Sequence, residues 1–363
     1  MAATTLYSLM HGLALWIGQV VQWLIQVTNI KEIQFIGDWA VTGGPVNFLA
    51  ILLTCAIFMV AALLVGITCI WEERKVLGRA MDRRGTQVGA LGLFQNFADA
   101  IKTLLKELII PRDADKKLFM WSVTGLIAGS VLLLGLVPWS DRFFVANPDL
   151  ALLVGLAVFS LAPFFLIISG WASNNKYSMI GAMRGAAQLI AYEIPILMVV
   201  LSIIIMTGSL NFNVIVAFQQ THMWLMFPLF IGFITFFICG IAESERVPFD
   251  LPEAEAELVE GWQTEYGSIQ WGLIMMADYL RAYIASALIT VLFLGGWDGP
   301  SFLWPEVWFL IKVFFVFFLM IWIRSATVRI RTDQLLKMGW KRLLPLSLVN
   351  LVIAVLFKVM GWF

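Results

Sequence analysis

Long apolar runs alternate with short polar connectors along almost the whole chain. A helix needs about 20 apolar residues to cross the hydrocarbon layer. Runs that reach or approach this length lie at 47–71, 118–138, 149–171, 187–207, 223–242, 271–294, 306–323 and 343–361, which predicts eight core spans. Pro138, Pro148, Gly208 and the Gly299-Pro300 pair punctuate the connections between them. A further apolar stretch, 4–27, is interrupted by His11, Gln19, Gln22 and Gln26, and carries Trp16 and Trp23 on one face. It fits an extra spanning helix or an interfacial one, and we expect it to span. Segment 89–110 has another rhythm. Leu93, Phe97, Ile101, Leu104, Leu105 and Leu108 recur at helical spacing with charges opposite, the pattern of an amphipathic helix on or just inside the membrane surface. The expected fold is all-α: one integral membrane domain over 1–363, a polytopic bundle of eight core transmembrane helices plus the N-terminal helix and the surface amphipathic helix.

Composition agrees. The chain is 61% hydrophobic and 13% charged with mean hydropathy +0.88, outside the soluble globular range. Net charge is zero, so no overall basic field attracts nucleic acid. Cys55, Cys69 and Cys239 lie in apolar runs without a C-x-x-C pair, which predicts buried thiols and no iron–sulfur cluster. The N-terminus shows no basic n-region or small-residue cleavage site. With 72–117 assigned inside, the inside segments 72–117, 172–186, 243–270 and 324–342 hold 19 Lys and Arg, against Lys31 and Arg142 outside. This asymmetry puts those loops on the cytoplasmic face.

The densest chemistry lies at 243–267, where Glu243, Glu245, Asp250, Glu253, Glu255, Glu257, Glu260 and Glu265 share one basic residue, Arg246. Ionised groups beside spanning helices face water, one another or a buried path. Read as one helix, 253–260 would stack Glu253, Glu257 and Glu260 on a single face. Such carboxylates must share protons or meet cations: Arg246, or Arg74, Lys75, Arg79, Arg83 and Arg84 from the neighbouring inside loop. The plain alternative is acidic–basic docking between loops or subunits. Glu193 sits inside an apolar span two residues before Pro195, which suits a proton relay or a hydrogen-bonded structural group. Asp278 and Arg281, i and i+3, read as an internal ion pair. Lys312 and Lys358 stand alone in apolar runs, to snorkel or to face a neighbouring protein. His11 and His222 support no metal site, and no dinucleotide fingerprint, phosphate loop or Ser–His–Asp arrangement is present.

The block ERVPFDLPEAEAELVEGWQTEYG closely resembles the signature loop of one membrane component of respiratory complex I (NADH-quinone oxidoreductase), the H-type subunits, bacterial counterparts of mitochondrial complex I subunit 1. WEERKVLGR, SGWASNNKYSMIGAMRGAAQLIAYEIP, FLGGW and IWIRSATVRIRTDQLLKMGWKRLLPL resemble the same family in the same order, from Trp71 to Pro345. The resemblance implies a membrane subunit of a proton-translocating NAD(P)H-quinone oxidoreductase, not catalytic alone, in a bacterial plasma (inner) membrane. Quinone (ubiquinone or another type) would be its substrate, with no flavin, iron–sulfur cluster or metal on this chain. Its implied partners are the other membrane subunits, the hydrophilic redox-arm subunits and membrane lipid. By motif, the family's proton-path acids map onto Glu193, Glu243, Glu253, Glu255 and Glu257. Quinone-chamber positions map onto Arg79, Arg246, Phe249 and Asp250.

Two departures stand out. RRGTQVGALG is one residue shorter than the family's R-x-G-P-N-R-V-G-P-x-G and lacks its prolines. In the third core span FSLAPFF has Ser160 near a position where some relatives carry Glu, and a Ser cannot hold charge. The rival readings are a related membrane subunit of an energy-converting hydrogenase or formate hydrogenlyase, and an independent cation/proton transporter.

Overall fold

A computed structural model describes residues 44–141, 148–300 and 303–361, with the backbone alone at 44–55, 57, 90, 255 and 256, so the Cys55 thiol lies outside what it describes. The stretch 4–27 lies outside the described residues. Every regular element described is helical, and six helices are long and apolar enough to cross a membrane. The chain is an all-α integral membrane bundle.

Helix α1 (Gly44–Ala80) covers the first core run and extends nine residues beyond it, carrying the charged WEERK segment on its inner end. The amphipathic helix α2 (Phe94–Leu105) is shorter than the expected 89–110. Leu91 has φ +55°, which breaks the helix on one side, and Lys106 turns extended on the other. Its polar face docks inward: Asp99 pairs with Arg74 at 2.5 Å, and Asn96 donates to the Ile67 carbonyl at 3.0 Å. Phe94, Phe97, Ile101, Leu104 and Leu105 are left exposed, the arrangement of a helix resting on a bilayer.

Helix α3 (Lys116–Leu136) starts at Asp115, whose carboxylate accepts from the amides of Lys117 and Leu118. The third span is two helices, α4 (Ala151–Phe159) and α5 (Ala162–Ala172). Pro163 lacks an N–H and crowds the carbonyl four residues back, so the ladder lapses at Ser160 and Leu161. Both keep right-handed helical dihedrals, and the axis carries on. Ser160 is exposed and donates to the Leu156 carbonyl at 2.9 Å. Helix α6 (Lys176–Thr207) is capped by Asn175 and runs unbroken through Pro195.

The fifth run differs most from expectation. Instead of one span over 223–242 there is a helix α7 (Phe212–Thr221), a turn, and α8 (Phe230–Glu243) of 14 residues. Pro228 disfavours helical dihedrals in the residue before it, so α8 begins only after it. Gln219 ties the turn down, donating to the Val291 carbonyl at 2.8 Å and accepting from the Gly295 amide at 3.0 Å. After the acidic loop and its short helix α9 (Glu255–Leu258) come α10 (Ser268–Phe293), α11 (Pro305–Ala326), α12 (Thr332–Met338), a π-turn and α13 (Leu344–Val359).

Helix α10 is the axle. Every residue from Met276 to Phe293 is buried, and α1, α3, α7, α8 and α11 pack around it. Ala277, Ala282, Ala285, Ser286 and Ala287 keep its girth small, which lets neighbouring backbones approach. At its outer end Lys312 donates to the carbonyls of Leu294 (2.7 Å), Gly296 (3.1 Å) and Asp298 (2.6 Å), and sits 4.8 Å from the centre of the Trp224 ring. Lys358 donates to the Met206 carbonyl at 3.1 Å. Both lysines that stood alone in the apolar runs thus meet backbone carbonyls within this chain. Cys69 and Cys239 are buried free thiols.

Candidate functional site

The inner end of α10 meets the inner ends of α1, α8 and α11 beneath the acidic loop. Their charged side chains close around a cavity of about 120 Å³ lined by Glu73, Glu245, Arg246, Asp250, Glu253, Asp278, Tyr279 and Arg324, with Ser244, Val247 and Met275. Glu73, 4% exposed, bridges two arginines: Oε2 lies 2.7 Å from Arg246, and Oε1 pairs with Arg324. The Arg246 guanidinium also lies over the Tyr279 ring, 4.0 Å from its centre. Asp250 pairs with Arg329 at 2.9 Å, and Gln263 donates to Glu253.

The backbone that presents these groups is held by close packing. Gly261 takes φ +59°, and a Cβ there would fall 1.6 Å from the Pro252 carbonyl oxygen. Gly181 on α6 lets that helix lie against Gly261 and Trp262, where a Cβ would stand 2.7 Å from the Trp262 amide nitrogen. The loop is pinned to α6 and doubles back over the cavity. The expected single helix across 253–260 is absent: α9 is one turn, and Val259 with φ +65° ends it. Glu253, Glu257 and Glu260 therefore do not stack on one face.

Electrostatics follow from burial. Desolvation pushes Glu245 up to about 7, with Arg281 pulling the other way and Asp278 and Asp250 adding to the rise. Burial lifts Asp250 too, opposed by Arg329. Glu253 is raised well above the carboxylate range by burial, and then by Asp278, Asp250 and Glu245. Such a cluster holds fewer negative charges than it has carboxyls and takes up or releases protons when a nearby charge changes.

Arg281 carries the chain of charges inward from the cavity. Its Nη2 lies 2.5 Å from Asp278 and 3.7 Å from Glu245, while Nε and Nη1 have no hydrogen-bond partner among the described residues. Beyond it Glu243 and Glu193 line a second cavity of about 20 Å³ with Phe159, Phe236 and Gly240. Glu243 is 3% exposed, and its Oε2 is likewise unpartnered.

The residues singled out from sequence separate into three groups. Arg246, Asp250 and Glu253 line the polar cavity, while Glu243 and Glu193 line the deeper one. Glu257 is at the surface, paired with Arg184, and the Glu255 side chain lies outside what the structure describes. Phe249 is buried edge-on to Tyr192, centroids 5.4 Å apart, and Arg79 is exposed at the end of α1; neither lines the cavity. The structure adds Glu73, Arg324 and Arg329. Each is visible in the sequence as a charge at the margin of an apolar run, but only the fold shows that they converge. Among the described residues no group of three or more His, Cys, Asp or Glu is placed to hold a metal ion.

The family described as NADH dehydrogenase matches residues 6–355. The NADH-quinone oxidoreductase H-type subunit of Bacillus thuringiensis (strain Al Hakam) is 46% identical over 294 residues, covering 80% of this chain and 88% of that protein. The proteins of the same name from Bacillus mycoides (strain KBAB4) and Bacillus cereus (strain AH187) match with the same identity and coverage. With a family match over nearly its full length and relatives this similar, the chain belongs to the H-type subunit family of NADH-quinone oxidoreductases.

Proposed function

We propose that this chain is the membrane subunit of a proton-translocating NADH-quinone oxidoreductase in a bacterial plasma membrane, and that its buried charged chain couples quinone reduction to proton movement. Hydrophilic redox-arm subunits would close the polar cavity from the cytoplasmic side and deliver electrons to quinone there. The chain itself carries no group suited to electron transfer that its sequence reveals. Its share is to bind the quinone head and hold protons.

The observation that carries this reading is a succession of buried charged groups: Glu73 with Arg246, Glu245 and Asp278 with Arg281, and beyond them Glu243 and Glu193 on one deeper cavity. Reduction of a quinone in the polar cavity draws protons or leaves negative charge there. That change alters proton occupancy of the shared carboxyls, and Arg281 passes the field to the deeper pair. The family membership argues against an independent ion transporter.

Glu243→Gln and Glu253→Gln in the assembled complex test the reading. Quinone reduction should continue while the protons moved per electron pair fall. Unchanged pumping in both variants would overturn it.

A further inference from the structure

Segment 324–342 leads from α11 to α13 on the face of the bundle that carries the acidic loop, to which Arg329 ties it through Asp250. It holds six basic residues. The first three are taken up by carboxylates of this chain: Arg324 by Glu73, Arg329 by Asp250 and Arg331 by Asp333. The last three, Lys337, Lys341 and Arg342, are exposed and form no ion pair among the described residues. Lys337 lies within electrostatic reach of Asp333, but Arg331 already holds both oxygens of that carboxylate.

The scaffold beneath these cations is fixed. Leu335, Gly339 and Leu343 recur at one-turn intervals and are buried. Tyr192 of α6 donates to the Leu335 carbonyl at 3.1 Å, and a Cβ on Gly339 would stand 3.1 Å from the Ala191 carbonyl oxygen. That side of α12 and the π-turn is locked onto α6. Lys337 and Lys341 are exposed away from it, together with Trp340, which is 46% exposed. Helix α13 begins just beyond, at Leu344 and Pro345, and leaves Leu346, Val349 and Val352 exposed. The stretch that contains it is the least buried of the six spans. The cations therefore stand where hydrocarbon gives way to headgroups, the level at which Trp, Lys and Arg anchor a membrane protein.

We propose that α12 and the π-turn form a docking site for an anionic phospholipid of the adjoining leaflet. Its phosphate lies among Lys337, Lys341 and Arg342, Trp340 packs at the level of the glycerol, and an acyl chain runs along the open face of α13. An acidic patch on a soluble protein would match the cations but leave the apolar face that continues from them uncovered. A phospholipid brings charge and hydrocarbon in one molecule, in the order in which the chain presents their counterparts. A zwitterionic lipid carries its own cation beside the phosphate, so three unpaired positive charges favour a net-negative head.

The test uses the whole complex in mixed phosphatidylglycerol/phosphatidylcholine nanodiscs, with a photoreactive group on the acyl chain of one lipid or the other. Phosphatidylglycerol should label peptides from 340–352 more than about tenfold above phosphatidylcholine, and the preference should shrink as salt rises. Lys337→Gln, Lys341→Gln and Arg342→Gln should each lower the preference about fivefold, the equilibrium weight of one such charge at a membrane surface. The charge-conserving set Lys337→Arg, Lys341→Arg and Arg342→Lys should retain it. Equal labelling by the two lipids, or a preference that survives all three Gln changes, overturns the proposal. So does an absence of labelling together with a carbodiimide cross-link from Lys341 to an acidic residue of another subunit, which would give the surface to a protein partner.

Discussion

Glu73 and Arg246 face each other at 2.7 Å across 173 positions of sequence, and the pair closes the polar cavity between α1 and the acidic loop. Arg324 shares the same carboxylate, so one Glu neutralises two arginines from separate elements.

Glu73→Gln leaves Arg246 buried without its counter-charge. Removing one partner of a buried pair costs about 3–5 kcal/mol. We expect a lower thermal midpoint for the assembled complex and a large loss of quinone reduction. A midpoint unchanged within error would show that Arg246 has another counter-ion.

Glu245 rises from the ordinary value of 4.5 to about 7 in the folded chain. Between those values the folded state holds a proton that the unfolded chain has released, so this group's contribution to stability declines as pH rises through the window. Infrared spectra of the complex should show a protonated carboxyl disappearing near neutral pH. The same band should be missing in Glu245→Gln; its persistence would assign the signal elsewhere.

Two neighbours push that titration in opposite directions. Asp278→Asn removes a negative charge and should shift the midpoint down. Arg281→Met removes the balancing cation and should shift it up. Shifts of the same sign would rule out the charge chain drawn from this geometry.

Gly261→Ala tests the scaffold of the site. The left-handed backbone and the 1.6 Å approach to the Pro252 carbonyl leave no place for a methyl group. The strain exceeds about 2 kcal/mol, and the 250–267 loop should become cleavable by protease in the intact complex. Protection equal to the unaltered chain would show that the loop can re-route without loss.

Much of the bundle was legible in the sequence because apolar length is a direct physical requirement of crossing hydrocarbon. The amphipathic period at Leu93–Leu105 also told which face the fold would leave exposed. Pattern failed where a single residue overrules it. Pro163 split one span, Pro228 shortened another, and Val259 ended what read as a helix over 253–260. Of the site, the acids of the 243–257 loop were evident as charges that needed partners. Which cations reached them was not, because Glu73 to Arg324 and Asp250 to Arg329 are contacts between distant elements. Arg79 sits past the turn of α1 that faces the polar cavity, a placement its sequence block does not reveal.

The three carbonyls gripped by Lys312 bear on how the bundle can move. They tether the outer end of α10, whereas its inner end borders the polar cavity. Lys312 therefore fixes the segment that follows α10, on the side of the bundle away from Asp278 and Arg281. Lys312→Met would leave three carbonyls at that end without their donor and free the turn after α10, although no acid had been touched.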